Sequence, residues 1–201
     1  AGGRSEVDLG AATVKRIGYL GLGSNVGDRM AALLGGAAAL DELDDIAVRR
    51  MATVLETEPV GVEGHGAYLN TVVEIETTKS PVELLMACLL VERGMGRVRQ
   101  PGGACLPRRL DIDVLLLGEC VHGDGEVTVP HPRMHERAFV LVPMVELAAD
   151  VVHPVSGLSM HDLLQAEIEM HGPVEDRCAI LKPGPLLDDG PASGPAGLTM
   201  I

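Results

Sequence analysis

Two aspartates stand two residues apart in an otherwise apolar run over residues 108–118, which reads RRLDIDVLLLG. In a β-strand, residues i and i+2 point to the same face, so Asp111 and Asp113 would lie about 6.7 Å apart, with apolar neighbours on the other face. At an effective dielectric constant near 20, two carboxylates at that separation repel each other by about 2.5 kcal/mol. A divalent cation reverses the sign, and Mg²⁺ prefers such oxygen ligands, usually shared with phosphates. The pair therefore predicts a magnesium site, with a solvated acidic face as the alternative.

The basic residues near this pair favour a phosphate-rich ligand. Seven of the 16 basic residues lie between residues 93 and 137, and all seven are arginines, whose planar guanidinium group matches phosphate oxygens. They are Arg93, Arg97, Arg99, Arg108, Arg109, Arg133 and Arg137. Ordinary surface arginines paired with local acids are the alternative, and Arg109 and Arg133 fit that description.

Other common phosphate and metal motifs are absent from the sequence. The stretch GLGSN (21–25) lacks the Lys-Ser/Thr ending of a P-loop. His131 and His135 have the i, i+4 spacing of a zinc helix, but prolines flank His131 and there is no HExxH. We therefore expect His131 to contact phosphate by itself and His135 to lie at the surface.

Composition narrows the class of protein. The chain carries a formal net charge of −13 and has three aromatic residues, which argues against nucleic-acid binding. Its four cysteines have no CxxC spacing and are typical of reduced thiols. No apolar run approaches the roughly 18–20 residues of a membrane span, and the first residues do not form a secretory signal. We expect a cytoplasmic protein, either a monomer or a homodimer.

The periodicity of the chain predicts an α+β fold. We expect strands and helices alternating in the ferredoxin-like βαββαβ order, followed by two further helices. The predicted strands are 16–23, 46–57, 67–78, 109–118 and 126–132, and the predicted helices are 80–96, 138–149 and 158–172. A further helix is predicted within 23–40, where the chain turns at residues 23–25 and Ser24, Asn25 or Asp28 could cap the helix. Ser80 and Glu83 form a capping box at the start of the second helix, and Pro81 occupies its first position. The predicted domain covers residues 14–172, and the Pro/Gly-rich residues 173–201 form a C-terminal extension, in part disordered.

Seven short segments, in order, give the chain a specific resemblance to a known family. They are GLGSN, TEPVG (57–61), AYLN (67–70), GRVR (96–99), PRRLDIDVLLLG (107–118), VPHPRMHERAFVLVPM (129–144) and VVHPVSG (151–157). Over residues 16–160 the chain resembles the 6-hydroxymethyl-7,8-dihydropterin pyrophosphokinases of folate biosynthesis. The resemblance implies a single three-layer α/β/α domain around the ferredoxin-like core. It also implies Mg²⁺-dependent transfer of pyrophosphate from ATP to the pterin hydroxymethyl group, with release of AMP.

The resemblance also implies roles for individual residues. Asp111 and Asp113 would hold two Mg²⁺ ions, and Arg97 and Arg108 would stabilise charge during the transfer. ATP would be bound by Glu92, Arg99, Arg108, Val114, His131 and Arg137. The pterin would be bound by Thr57, Val60, Tyr68, Asn70 and Phe139. Tyr68 and Phe139 are two of only three aromatic residues, and both fall where a flat heterocycle needs stacking partners.

One departure from the family pattern concerns the loop before the aspartate strand. The family has a Trp-Gly pair where this chain has Cys105 and Leu106, and the loop here is about one residue longer. This departure keeps one alternative to the enzyme open, a catalytically weakened relative that acts as a ferredoxin-like pterin-binding or nucleotide-binding module. A glycosyltransferase, in which a DxD pair also binds a metal, is the other alternative, but that class usually needs a larger Rossmann-like domain and nothing in this sequence resembles one.

Overall fold

One antiparallel sheet organises the molecule. The computed structural model describes residues 14–58, 66–97 and 108–180. Within them the strands are β1 (Arg16–Ser24), β2 (Ile46–Met51), β3 (Leu55–Thr57), β4 (Tyr68–Thr77), β5 (Asp111–Leu117), β6 (His122–Gly123), β7 (Thr128–Val129) and β8 (Cys178–Ile180). The main sheet has the order β5-β1-β4-β3-β8, and β2 also pairs with β4, while β6 and β7 form a separate hairpin.

Helices cover both faces of this sheet. They are α1 (Arg29–Asp41), α2 (Pro81–Gly94), α3 (Ala138–Ala148) and α4 (Met160–His171). One buried apolar cluster joins α1 and α2 to one face of the sheet, and a second joins α3 and α4 to the other face. The predicted ferredoxin-like core in a three-layer α/β/α arrangement is confirmed. No helix in the described ranges is both long and apolar enough to cross a membrane.

The start of α1 differs from the prediction. Strand β1 continues through Ser24, where the sequence pattern predicted a turn at residues 23–25, and the helix begins only at Arg29. Asp28 is the N-cap, and its Oδ1 accepts a hydrogen bond from the Ala31 amide at 3.0 Å. Asn25, another candidate cap, instead uses its side-chain oxygen on the backbone of Arg108. In α2, by contrast, the predicted capping box of Ser80 and Glu83 is present.

Two predicted strands are shorter than expected because their backbone groups bond elsewhere. The predicted strand 46–57 is interrupted at residues 52–54, where the Ala52 amide donates to the Val72 carbonyl and the Thr53 amide to the Glu146 carboxylate. The predicted strand 126–132 is reduced to β7, since prolines at 130 and 132 have no amide hydrogen to donate.

The sheet extends beyond residue 172, where we placed the end of the domain. Strand β8 pairs with β3, with Cys178 opposite Thr57. Arg177, just before β8, donates two hydrogen bonds to the Glu167 carboxylate of α4, at 2.5 and 2.8 Å. Cys178–Ile180 therefore form an edge strand of the main sheet, beyond the predicted end of the domain.

Candidate active site

The register of β1 against β5 creates an open floor at one end of the sheet. Gly21 pairs with Asp113 and Gly23 with Asp111, so both aspartates lie beside positions without a side chain. On its other side, Gly23 pairs with Asn70 of β4. A Cβ atom at Gly23 would lie 3.1 Å from the Asn70 Oδ1 atom, closer than ordinary packing. These glycines therefore leave space where larger residues would fill the site.

The alternation predicted for β5 is confirmed. Leu110, Ile112 and Val114 are buried in the cluster under α1 and α2, and Asp111 and Asp113 face the other way. Val114, which the resemblance assigned to ATP, therefore turns its side chain away from the two carboxylates.

A cavity of about 380 Å³ opens above this floor. Strands β1, β3, β4 and β5 supply one side, and residues 133–140, from the turn before α3 and the start of that helix, supply the other. Most of the predicted site residues in the described ranges line it, namely Thr57, Tyr68, Asn70, Arg108, Asp111, Asp113, Arg137 and Phe139. The fold thus brings the predicted phosphate and pterin residues to one cavity.

Asp111 is held by two arginines. Arg97 donates to its Oδ1 atom and Arg108 to its Oδ2 atom, so each carboxylate oxygen carries one guanidinium contact. Such charge-assisted hydrogen bonds are stronger than those between neutral groups. Both arginines predicted for catalysis therefore meet at one carboxylate.

Glu92 supports this arrangement from behind. Its side chain is only 1% exposed, and its Oε1 atom accepts the Ile112 amide hydrogen at 2.8 Å and also pairs with Arg97. A buried carboxylate needs such partners, because an uncompensated buried charge is strongly destabilising. Glu92 thereby connects α2, β5 and Arg97, and its side chain is buried behind the cavity that it was predicted to share with ATP.

Asp113 has a different environment. Its Oδ2 atom lies 3.6 Å from an Arg137 nitrogen and 3.9 Å from His131 Nε2, both beyond hydrogen-bond distance. Partial burial raises the pKa of Asp113, and the charge of Asp111 raises it further, against the opposing effects of His131, Arg137 and Arg108. Burial lowers the pKa of His131, which favours the neutral imidazole. Asp113 is therefore a carboxylate whose charge is poorly compensated by the protein.

The opposite end of the cavity is less charged. Asn70 donates a hydrogen bond to the Thr57 hydroxyl at 2.9 Å, and both residues are buried. The partly buried rings of Tyr68 and Phe139 line the same cavity, while the third aromatic residue, Tyr19, is in the core. The Arg137 guanidinium carbon lies 5.7 Å from the centre of the Phe139 ring, within the range of a cation–π contact.

Asn25 is a supporting residue that the sequence pattern did not single out as part of the site. Its side-chain Oδ1 atom accepts the backbone amide hydrogen of Arg108 at 2.6 Å, and its backbone amide donates to the Arg108 carbonyl at 3.1 Å. These two bonds fix the backbone of Arg108 across 83 residues of sequence. The position of Asn25 directly after the glycine-rich end of β1 was the available signal.

Some predicted residues do not join this cluster. Val60 and Arg99, and also Cys105 and Leu106, lie outside the described residues. Arg133 pairs with Glu136 at 3.2 Å near the surface, the ordinary pairing proposed for it, although both residues line the cavity rim. His135 packs edge-on against His153, with ring centres 6.5 Å apart.

The charges of the cavity suit a cation that arrives with its own ligands. Four acidic and three arginine side chains line it, a formal charge of −1, namely Glu58, Asp111, Asp113, Glu136 and Arg108, Arg133, Arg137. Within the described ranges, no group of three or more His, Cys, Asp or Glu side chains could enclose a metal ion. Two carboxylates fit Mg²⁺ bound through one or two protein ligands plus substrate phosphates, because Mg²⁺ seldom uses an all-protein cage.

Comparisons of the sequence with known proteins agree on one family. The family model of 7,8-dihydro-6-hydroxymethylpterin-pyrophosphokinase (HPPK) matches residues 19–149. The chain is 38% identical over 138 residues to the 2-amino-4-hydroxy-6-hydroxymethyldihydropteridine pyrophosphokinase of Bacillus subtilis, covering 69% of this chain and 81% of that protein. It is 41% identical over 134 residues to the enzyme of the same name from Methylorubrum extorquens, covering 67% and 84%.

Longer proteins also match. The folic acid synthesis protein fol1 of Schizosaccharomyces pombe is 36% identical over 152 residues, which is 76% of this chain but only 20% of fol1. The crystal structure of Plasmodium falciparum HPPK-DHPS A437G superposes with a TM-score of 0.64 at 12% identity, covering 84% of this chain and 51% of that one. This chain therefore spans about half of that structure and a fifth of fol1. The chain belongs to the 7,8-dihydro-6-hydroxymethylpterin-pyrophosphokinase family.

Proposed function

We propose that this protein transfers pyrophosphate from ATP to the hydroxymethyl group of 6-hydroxymethyl-7,8-dihydropterin. The hydroxymethyl oxygen forms a bond to the β-phosphorus of ATP, and the bond from that phosphorus to the oxygen shared with the α-phosphate breaks. AMP leaves, the hydroxyl proton is released, and the pterin carries the diphosphate. The observation that carries the proposal is the single cavity, which combines paired carboxylates, arginines and two aromatic side chains.

The phosphate end of the cavity would bind ATP. Arg97 and Arg108 already converge on Asp111, so phosphate oxygens that enter there would meet both guanidinium groups. Phosphoryl-type transfer depends mainly on in-line positioning and on stabilising spread negative charge. Arg137 and His131 border the same space beside Asp113, where we expect further contacts to ATP. Glu92 would act by orienting Arg97, and Arg99 stays a predicted ATP contact.

Asp111 and Asp113 would hold Mg²⁺, as two ions shared with the ATP phosphates. When bound, Mg²⁺ would neutralise the charge on the phosphate oxygens and help to orient them. The formal charge of −1 on the cavity lining supports this requirement, because a polyphosphate adds further negative charge.

The other end of the cavity would bind the pterin. Tyr68 and Phe139 offer ring faces for stacking, and Asn70, held by Thr57, offers an amide group to the edge of the heterocycle. Val60 stays a predicted pterin contact. Arg137, which lies over Phe139 and near Asp113, would stand between the two substrates.

The test is product identification. The protein is mixed with ATP, Mg²⁺ and 6-hydroxymethyl-7,8-dihydropterin, and nucleotides are separated by chromatography. We expect AMP and diphosphorylated pterin in equal amounts, and no AMP when the pterin carries a methyl group in place of the hydroxymethyl group. Formation of ADP would exclude pyrophosphate transfer. Binding of both substrates without turnover would instead support the weakened binding module.

A further inference from the structure

The two aspartates of the cavity differ in how accessible their oxygens are to a cation. Both oxygens of Asp111 are occupied by guanidinium groups, Oδ1 by Arg97 and Oδ2 by Arg108. The side chain of Asp113 is 43% exposed, and nitrogen atoms of Arg137 and His131 lie 3.6 and 3.9 Å from its Oδ2 atom, beyond hydrogen-bond distance. Of the two proposed metal ligands, Asp111 therefore has both oxygens engaged by arginines, whereas the oxygens of Asp113 are accessible to a cation.

A metal ion and a guanidinium group compete for the same lone pairs of Asp111. A charge-assisted hydrogen bond is a strong interaction, so breaking two of them opposes metal binding. Phosphate oxygens are equally good acceptors for guanidinium groups. If a polyphosphate takes over the two arginines, the Asp111 oxygens become available at the moment when the metal can also use phosphate ligands.

The surrounding residues suit such an exchange of partners. The backbone of Arg108 is fixed by Asn25, so its side chain can change partner without displacing β5. Arg97 also pairs with Glu92, whose side chain is 1% exposed, and it therefore keeps an acidic partner when it leaves Asp111. Neither arginine depends on Asp111 alone for its position.

We propose that Arg97 and Arg108 form a lock on Asp111 that disfavours metal binding until a polyphosphate draws both guanidinium groups away. The lock makes metal binding depend on the nucleotide and limits capture of free cations by an empty site. The proposal rests on the proposed function only in taking ATP as the source of the polyphosphate.

The experiment measures Mn²⁺ affinity without nucleotide, from the electron paramagnetic resonance signal of free Mn²⁺. Arg108→Met should bind Mn²⁺ about tenfold or more tighter than the unmodified protein, because one bond to Asp111 is gone. Arg97→Met should act in the same direction, and Arg108→Met is the primary variant because it leaves buried Glu92 paired. Arg133→Met is the matched control, since it removes an equal charge from the cavity rim without touching Asp111.

A double-mutant cycle separates the lock from a general effect of charge. With Asp111→Asn in place, adding Arg108→Met should change Mn²⁺ affinity less than twofold. Unchanged affinity in Arg108→Met, or equal tightening with Arg133→Met or in the Asp111→Asn background, would overturn the lock. The measurement of Mn²⁺ affinity does not depend on turnover. If the double-mutant cycle shows the expected coupling but the protein forms no AMP, the proposed function is contradicted and the lock is still supported.

Discussion

Asp111 and Asp113 are chemically identical residues in different environments. Asp111 gains two guanidinium partners in the folded protein, and Asp113 gains burial and a like charge instead. The fold therefore penalises the charge of Asp113, which is the condition expected of a residue whose natural partner is a bound cation.

This difference predicts opposite stability effects for the two amide variants. A pKa raised in the folded state means that Asp113 destabilises the protein above that pKa and ceases to do so as pH falls toward the unfolded value, about 3.9. Asp113→Asn should therefore raise the melting temperature at pH 7 but not near pH 3. Asp111→Asn should lower it at pH 7, because two ion pairs are lost.

Differential scanning calorimetry of both variants without metal tests this. Both should still lose about 100-fold or more in turnover if they are metal ligands, so the rate would fall while stability moves in opposite directions. A lower melting temperature for Asp113→Asn at pH 7 would contradict the assigned environment.

Much of the site could be predicted at this scale, and what could not has a common cause. Residue type and spacing alone were enough to predict metal binding by the aspartate pair and phosphate binding by the arginines. The role of Asn25 depends on a contact to a residue 83 positions away, and that of Gly23 on the register of β1 between two strands. Short-range patterns carry no information about either.

At the scale of elements, strand β8 is held in place by the ion pair between Arg177 and the buried Glu167. Glu167 of α4 is 2% exposed at its side chain, and Arg177 binds it through two nitrogens while a third hydrogen bond reaches the Gly172 carbonyl. The pair holds β8 beside β3, the strand that carries Thr57 into the cavity.

Breaking this pair should destabilise the fold. Arg177→Met should reduce the free energy of unfolding by about 3 kcal/mol, because Glu167 is left as a buried charge without its two arginine hydrogen bonds, beside His171 at 3.4 Å. The measurement is urea unfolding followed by circular dichroism. The double variant Glu167→Met, Arg177→Met should recover at least about 1 kcal/mol of that loss, since it also removes the buried carboxylate that Arg177→Met leaves without its arginine partner. No recovery would show that the lost packing of Arg177 dominates.

The long elements could be predicted from periodicity, and the short ones could not. Helix α2 has a capping box and a clear apolar pattern, so its position followed from local residues. Strand β8 has three residues and exists because β3 offers an edge, so its own composition contains little signal. The break at residues 52–54 likewise results from hydrogen bonds to β4 and α3.

At the scale of the whole molecule, the charge opposes the proposed substrate. The chain has a net charge of −13, and the cavity lining itself sums to −1. ATP without a metal ion is strongly anionic, so its local attraction to arginines competes with repulsion from the surrounding acids. The proposed cation would therefore be needed for nucleotide binding as well as for the transfer.

Removal of metal should accordingly weaken nucleotide binding. With EDTA in place of Mg²⁺, a non-hydrolysable ATP analogue should bind at least about tenfold more weakly in isothermal titration calorimetry. Adenosine, which lacks phosphates, is the control and should be insensitive to EDTA. Equal affinity of the analogue with and without Mg²⁺ would contradict a site whose charge balance requires the cation.

Strand β5 also forms one edge of the main sheet, and its sequence is rich in leucine. Unpaired backbone groups on such an apolar edge strand can hydrogen-bond to a strand of another molecule. Two of its backbone groups are already occupied, because Glu92 accepts the Ile112 amide hydrogen and the His131 amide donates to the Leu115 carbonyl at 2.9 Å. Residues that border the proposed phosphate site thus also cover part of an exposed sheet edge. The same hydrogen bonds that position the proposed site would therefore also disfavour pairing with a foreign strand.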